Sequence, residues 1–274
     1  MPVIFISRGT MSGAHLLVET IHAKTGIRCI SHEDLVATVN RYGEIANRTL
    51  EKLEDASVAY GQFCDLRRPY LVLMRKALLE QITRENLIYH GHSGHLLLPP
   101  VRHFVRVRIG APVSLRVSMT MERLKCDEKE AHDYILKADE QRGKWARFVY
   151  GQDIKNPLLY DVYLNLSHMR LEGAAGILEC MLGQEAFQAT PASQTEVEQM
   201  RLATNIEAAL VVDPRTADFE INAEITDQEV QLLGPYLDQD ERSLVLDVAR
   251  SVPGAEKVQY IPGYKSRFQD NCYF

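Results

Sequence analysis

The first fifteen residues constrain the fold more than any other stretch. Val3–Ile6 is a short apolar run that reads as a buried strand, and two glycines four apart, Gly9 and Gly13, follow it. Beyond them Leu17 and Ile21 stand about one helical turn apart. A strand, a glycine turn and a helix N-terminus make an anion site. Glycine lets the backbone approach a phosphate, and first-turn N–H groups lack partners within the helix. Set on the phosphate-loop template G-x-x-x-x-G-K-[ST], Gly13 takes the second glycine and Arg8 stands at the first. Ala14 occupies the lysine position and His15 the Ser/Thr position. Ser7, Arg8, Gly9, Thr10, Met11, Ser12, Gly13, Ala14 and His15 are therefore the candidate phosphate-binding segment. The usual lysine and the hydroxyl that anchors magnesium are missing from it.

A chain of 274 residues has room for two domains, and 46% hydrophobic with 25% charged residues predicts a sizeable core. The formal charge of −6 argues against a nucleic-acid partner, which calls for a basic excess. Five scattered cysteines, none spaced C-x-x-C, favour reduced thiols over a disulfide framework. No basic leader precedes Val3, four apolar residues cannot form a signal core, and no run reaches membrane-spanning length. The expectation is a soluble, cytoplasmic protein with no membrane span.

Residues 1–185 alternate short strands with longer helical patterns, the mark of a parallel sheet with crossover helices. Candidate strands are Val3–Ile6, Ile27–Ile30, Leu87–Tyr89, His103–Ile109 and Tyr160–Leu164. Residues 33–60 and 70–83 read as helical, with a break around Cys64–Pro69, and Gly26 as the stop of the first helix. Asp127-Glu128-Lys129-Glu130 resembles a capping box that opens a helix through Tyr150, with Ala131, Ile135, Ala138, Trp145 and Val149 as its apolar stripe. Residues 186–194 lack periodicity and read as a linker. After it comes an α-β-β-α-β pattern over 195–263, about seventy residues, near the lower limit for an independent core. The tail 264–274 has no assignment.

By this point the chain resembles the cytidylate kinase-like family, P-loop nucleoside monophosphate kinases in which the Walker lysine is absent. Ser7-Arg8-Gly9-Thr10-Met11-Ser12-Gly13-Ala14-His15 matches the family's opening segment. Tyr89–Leu96 matches its strand and Gly-Arg-x-Ala turn, with His92 in place of the arginine. Val105–Pro112 with Arg116 resembles the approach to the lid, and Lys137-Ala138-Asp139-x-x-Arg142 the lid helix. Gly151-Gln152-Asp153 and Tyr160–Asn165 resemble the closing segment. The resemblance covers roughly residues 1–180 and implies a P-loop kinase-like parallel sheet with helical insert and lid. It also implies ATP or another NTP with magnesium as cofactor. Residues 195–262 resemble a BON domain through Asp213-Pro214, Leu233-Gly234 and the run Ala249–Ala255 with Val258. That small α+β module is expected to present a surface for a protein partner or a second copy of the chain.

Phosphoryl transfer needs a cradle for the donor phosphates and cations for the transferred group. With alanine at position 14, the cation must come from elsewhere. Arg123, Arg142 and Arg147 are the catalytic candidates. Arg142 shares the stripe of Ala138 and Trp145, so it faces either the site or a snorkelling position packed on Trp145. Arg67 and Arg68 stand where the insert would meet an acceptor phosphate, and surface charge is the competing reading. Lys137, Asp139 and Asp161 complete the substrate-side candidates. His90-x-His92-x-x-His95 lacks the Cys or Glu that would complete a metal set, so it is expected as a polar wall of the cleft. The functional expectation is phosphoryl transfer from a nucleoside triphosphate to a nucleoside monophosphate or other small acceptor. The rival is a degenerate nucleotide sensor that reports through the C-terminal module, and a third reading is an assembly scaffold.

Overall fold

The computed structural model describes residues 2–54, 64–82, 85–226 and 229–263. Along the chain run β1 (Val3–Arg8), α1 (Ala14–Thr25), β2 (Arg28–Ser31), α2 (His32–Val39), α3 (Glu44–Glu54) and α4 (Cys64–Gln81). Next come β3 (Leu87–Gly91), β4 (Phe104–Gly110), α5 (Val113–Leu124), α6 (Glu128–Tyr150), β5 (Val162–Asn165) and α7 (Leu171–Leu182). The order closes with α8 (Pro191–Val212), β6 (Asn222–Thr226), β7 (Glu229–Gly234), α9 (Gln239–Arg250) and β8 (Val258–Pro262). These elements form two compact units, Met1–Asp34 with Ile82–Ser193, and Leu35–Gln81 with Gln194–Phe274.

The first unit is built on a parallel sheet in the order β2-β3-β1-β4-β5. Val3–Ser7 of the central strand are all buried, which explains an unbroken apolar run in place of alternation. Leu17, Val18 and Ile21 of α1, with Ala174, Ala175 and Leu178 of α7, close on Ile4, Ile6, Val105 and Val107. Gly26, left-handed at φ 67, stops α1 as its position predicted. The connection after β1 runs to β2 on one side of the sheet and the connection after its neighbour β4 runs to β5 on the other, so a crevice opens between the carboxyl ends of β1 and β4. The capping box at Asp127 and Glu130 is present, and α6 packs on α5 through Val117, Ala131 and Ile135. This helix pair carries the expected lid residues.

In the second unit β6 and β7 are antiparallel, and β8 joins β7 in parallel. Ile206 and Leu210 of α8, and Val245 and Ala249 of α9, pack on Ile221, Val230, Leu232 and Tyr260. The expected α-β-β-α-β module is therefore present.

Three element boundaries and one grouping differ from the sequence reading. Residues 33–60 divide into α2, a 3-10 turn at Asn40–Tyr42 and α3, because Gly43 at φ 109 breaks the helix; residues 55–63 lie outside the described ones. The break expected at Cys64–Pro69 is helical: α4 runs through Pro69, whose ring removes a single N–H from the ladder. The linker read at 186–194 contains a 3-10 turn at Glu185–Phe187 and then the start of α8 at Pro191, a residue favoured in a first helical turn. The insert Leu35–Gln81 belongs to the same compact unit as the C-terminal module, whereas the sequence placed it in a domain spanning 1–185.

Candidate functional site

Residues 9–13 leave the end of β1 and turn into α1. Met11 and Gly13 both adopt left-handed backbone, at φ 52 and φ 79. Gly13 is the position that requires glycine, since it combines that conformation with the N-cap of α1. The turn is held by the Gly9 N–H donating to the Ile109 carbonyl and the Ser12 N–H donating to the Gly9 carbonyl, both at 3.3 Å.

Helices α5 and α6 fasten this loop from outside. The Thr10 hydroxyl donates to Asp139 Oδ1 at 2.7 Å, and the Thr10 N–H reaches the same oxygen at 3.4 Å. Arg116 donates through Nε to the Thr10 carbonyl at 2.6 Å and through Nη2 to Asp139 Oδ2 at 2.7 Å. Arg142 donates to the Thr10 hydroxyl oxygen. One threonine thus gathers the carboxylate and both guanidinium groups. Burial acts to raise the Asp139 pKa, but hydrogen bonds from Thr10 and Arg116 outweigh it and hold the carboxyl below its usual value.

A cleft of about 500 Å³ opens over the loop, lined by Arg8–His15 together with Glu33, His90, His92, Arg123, Leu124, Tyr134 and Arg142. Its cations are Arg8, ion-paired to Glu33 at 3.5 Å, Arg123 beside Met11 Sδ at 4.0 Å, and Arg142. Burial is the main force pulling the Arg142 pKa down to about 10, and it stays charged at neutral pH. Three histidines in the wall carry no charge there. Burial depresses His15 and His90, and it takes His92 to about 2, with Arg142 and Arg8 adding repulsion. The Arg8 carbonyl lies 3.3 Å from His92 Nδ1, so this nitrogen carries the proton and Nε2 is left as an acceptor. His92 therefore substitutes for the family arginine in position and not in charge.

The structure places the other expected site residues elsewhere. Asp161 does not face the cleft: it accepts from the Arg106 N–H at 2.7 Å and from its guanidinium at 2.8 and 3.2 Å, a bidentate pair that uses both oxygens. Arg68 is a second correction. It lies in the second unit, buried, where it donates to the carbonyls of Phe219 and Ile221 of the C-terminal module and neighbours the buried Glu207. Arg67 is buried in α4 as well. Lys137 and Arg147 are exposed on α6 and do not line the cleft, and Arg147 makes only a loose 3.9 Å pair with Asp153. Their spacing from Arg142 on the helix already set them on another face. Ser7 sits beneath the loop and accepts from Arg108 at 2.8 Å. His95 leaves the histidine cluster and packs its ring on Tyr160 at 4.7 Å. The sequence reading missed Glu33, Leu124, Tyr134 and the role of Arg116. An apolar pair outside the stripes of α5 and α6 was the available signal for Leu124 and Tyr134.

Magnesium prefers oxygen ligands, keeps several waters and leans on phosphate oxygens. Among the described residues no group of three or more His, Cys, Asp or Glu side chains is arranged to hold a metal ion. The cleft offers Ser12 Oγ, buried without a hydrogen-bond partner, and the Glu33 carboxylate. That donor set does not cage a metal; a magnesium carried on the phosphates would find Ser12 and Glu33 among the oxygen-bearing side chains of the cleft.

The profile of the cytidylate kinase-like family matches residues 3–168. The chain belongs to the cytidylate kinase-like family. A BON domain profile matches residues 200–260. The cytidylate kinase of Ignicoccus hospitalis is 24% identical over 185 residues, covering 66% of this chain and 99% of that protein. Among solved structures, an uncharacterized protein from Eubacterium ventriosum superposes with a TM-score of 0.53 at 16% identity, over 68% of this chain and all (100%) of that one. Shikimate kinase from Bacteroides thetaiotaomicron matches at a TM-score of 0.41 and 15% identity, over 67% and 99% of the two chains. The chain is therefore kinase-like, with a P-loop kinase-like sheet, and its C-terminal residues 200–260 match the BON domain profile. Among the described residues no helix is long and apolar enough to cross a membrane.

Proposed function

We propose that the chain binds a nucleoside triphosphate over residues 8–15 and transfers its γ-phosphoryl group to a nucleoside monophosphate or another small acceptor. The observation that carries this reading is the cleft itself. A glycine turn at a helix N-terminus is stapled through Thr10 to Asp139, Arg116 and Arg142, and is overlooked by three arginines against one carboxylate. The first-turn N–H groups of α1 take the phosphates. Arg142, Arg123 and Arg8 neutralise the charge that a lysine at position 14 would otherwise meet. Transfer forms a P–O bond to the acceptor oxygen as the β,γ-bridging bond breaks, with its electron pair staying on the departing diphosphate. Magnesium, when bound on the phosphates, supplies further charge neutralisation. The protein contributes positioning and electrostatics, and no covalent intermediate is needed. Asp139 is a positioning residue in this scheme, and the acceptor is not held by Arg68 or Asp161, which are committed elsewhere.

One observation favours the sensor reading: Ala14, His15 and the neutral His92 stand where the fold's more usual chemistry has a lysine, a hydroxyl and an arginine. ADP formation from ATP and magnesium with a panel of nucleoside monophosphates separates the two. Turnover that disappears in Arg142→Ala supports the kinase. Calorimetric binding of ATP without turnover supports the sensor, and neither binding nor turnover defeats both.

A further inference from the structure

A second cavity lies wholly within the second unit and shares no residue with the cleft over the loop. It measures about 440 Å³, within the range of small-molecule sites, and its wall comes from the insert and from the BON region together. The insert contributes Tyr42, Leu73 and Lys76, and α8 contributes Asn205, Ala208, Ala209 and Val212. Those four positions of α8 follow the i, i+3, i+4, i+7 spacing of one helix face. Two of them are alanines, too short to fill the space between α8 and the chain after α9. Ser251, Val252 and Pro253 close the far side, and the Ser251 hydroxyl is spent on the Val248 carbonyl at 2.7 Å.

The polarity of the wall is specific. Lys76 supplies the cation, and its charge is already met. Its Nζ lies 2.8 Å from Glu80, donates to Asn205 Oδ1 at 3.1 Å and stands 5.2 Å over the Tyr42 ring. The Tyr42 hydroxyl donates to the same Glu80 at 2.7 Å. An anion would have to break this closed network, and a cation would find Glu80 already paired. Asn205 keeps its Nδ2 group, two N–H donors, once Oδ1 is taken by Lys76. Apolar surface with one available amide NH2 group and no net charge selects an uncharged, mainly apolar molecule that carries a carbonyl-type acceptor.

We infer that this cavity is a small-molecule site for an uncharged, largely apolar ligand that accepts a hydrogen bond from Asn205. The ligand touches the insert and the BON region at once, so its binding tightens the contact between them. The inference stands independently of phosphoryl transfer.

The uncharged naphthalene ketone prodan has this chemistry and reports its surroundings by emission wavelength. Titration into the full-length chain should give saturable one-to-one binding with blue-shifted emission. Ala209→Trp, which fills the cavity, should weaken it at least tenfold. In uniformly 15N-labelled protein the Asn205 side-chain amide should shift with the same saturation, a readout that needs no variant. The sulfonated probe anilinonaphthalene sulfonate should bind more weakly than prodan. Absence of saturable prodan binding, equal affinity in folded Ala209→Trp, an unmoved Asn205 amide, or tighter binding of the anionic probe would each overturn the assignment. ATP titration of Ala209→Trp should match the wild type, which separates a failure here from a failure of the nucleotide cleft.

Discussion

Replacing Asp139 by alanine tests whether the lid helix holds the phosphate loop in shape. The change removes the 2.7 Å bond from the Thr10 hydroxyl, the 3.4 Å bond from the Thr10 N–H and the 2.7 Å bond from Arg116. Hydrogen bonds to charged groups contribute roughly 1.5–3 kcal/mol each. Asp139 is 37% exposed, so water recovers part of that, and about 2 kcal/mol in total is the appropriate scale. Arg116 keeps the Thr10 carbonyl and Arg142 keeps the Thr10 hydroxyl, so the loop loosens and the fold survives. A nucleotide then has to restore the ordered loop as it binds, and about 2 kcal/mol becomes roughly a 30-fold weaker Kd. Isothermal titration of ATP and magnesium into wild type and Asp139→Ala reads this directly, with a thermal melt to confirm folding. The folded-state pKa of Asp139 is depressed, so its contribution is present above the unfolded value and lost only as pH falls through the folded one. The ratio of the two affinities should therefore stay constant between about pH 5.5 and 8. An affinity within about twofold of wild type in folded Asp139→Ala would refute the staple.

Arg68→Met should destabilise the second unit by about 2–3 kcal/mol, because it takes a cation from beside the buried Glu207 and the guanidinium donors from the Phe219 and Ile221 carbonyls, the first of which keeps the Ile221 N–H. Hydrogen exchange over residues 207–223 should accelerate, while exchange in β1 should not change; protection left intact would contradict the anchor. Acid should destabilise the first unit from about pH 6.5 downward. Burial holds His92 at about 2 and His95 at about 3, so the unfolded chain takes up protons that the folded one refuses. Each contributes a loss of about 1.4 kcal/mol per pH unit, and His92→Gln should remove one such share from the urea midpoint measured between about pH 6 and 4.5. An unchanged slope would show that His92 is not the buried neutral imidazole described.

Much of the fold is written locally, and that part is legible. The apolar run of β1, the left-handed glycines at 13 and 26 and the capping box at Asp127 all depend on near neighbours in sequence. The glycine turn into α1 was equally readable, since Gly13 and the start of α1 are one continuous stretch. Less legible was anything decided by a distant partner. Asp139 reads as a substrate-side carboxylate until Thr10, 129 positions away, is placed against it. Asp161 likewise reads as a substrate-side carboxylate until Arg106 takes both its oxygens. Arg68 reads as a phosphate clamp because Arg67-Arg68-Pro69 is what a clamp would look like, yet its acceptors are carbonyls 151 and 153 residues later. No periodicity carries information of that range. The same cause hid the grouping of the insert with the BON region, because compactness is a property of contacts and not of composition.

The most direct test titrates ATP and magnesium into the full-length chain and into Arg142→Ala while ADP formation is followed with CMP as acceptor. A cleft built from residues 8–15 and the lid arginines predicts saturable binding by wild type, weakened at least tenfold in Arg142→Ala, with turnover only where binding persists. No detectable heat with wild type, or affinity unchanged by loss of the Arg142 guanidinium, would contradict it.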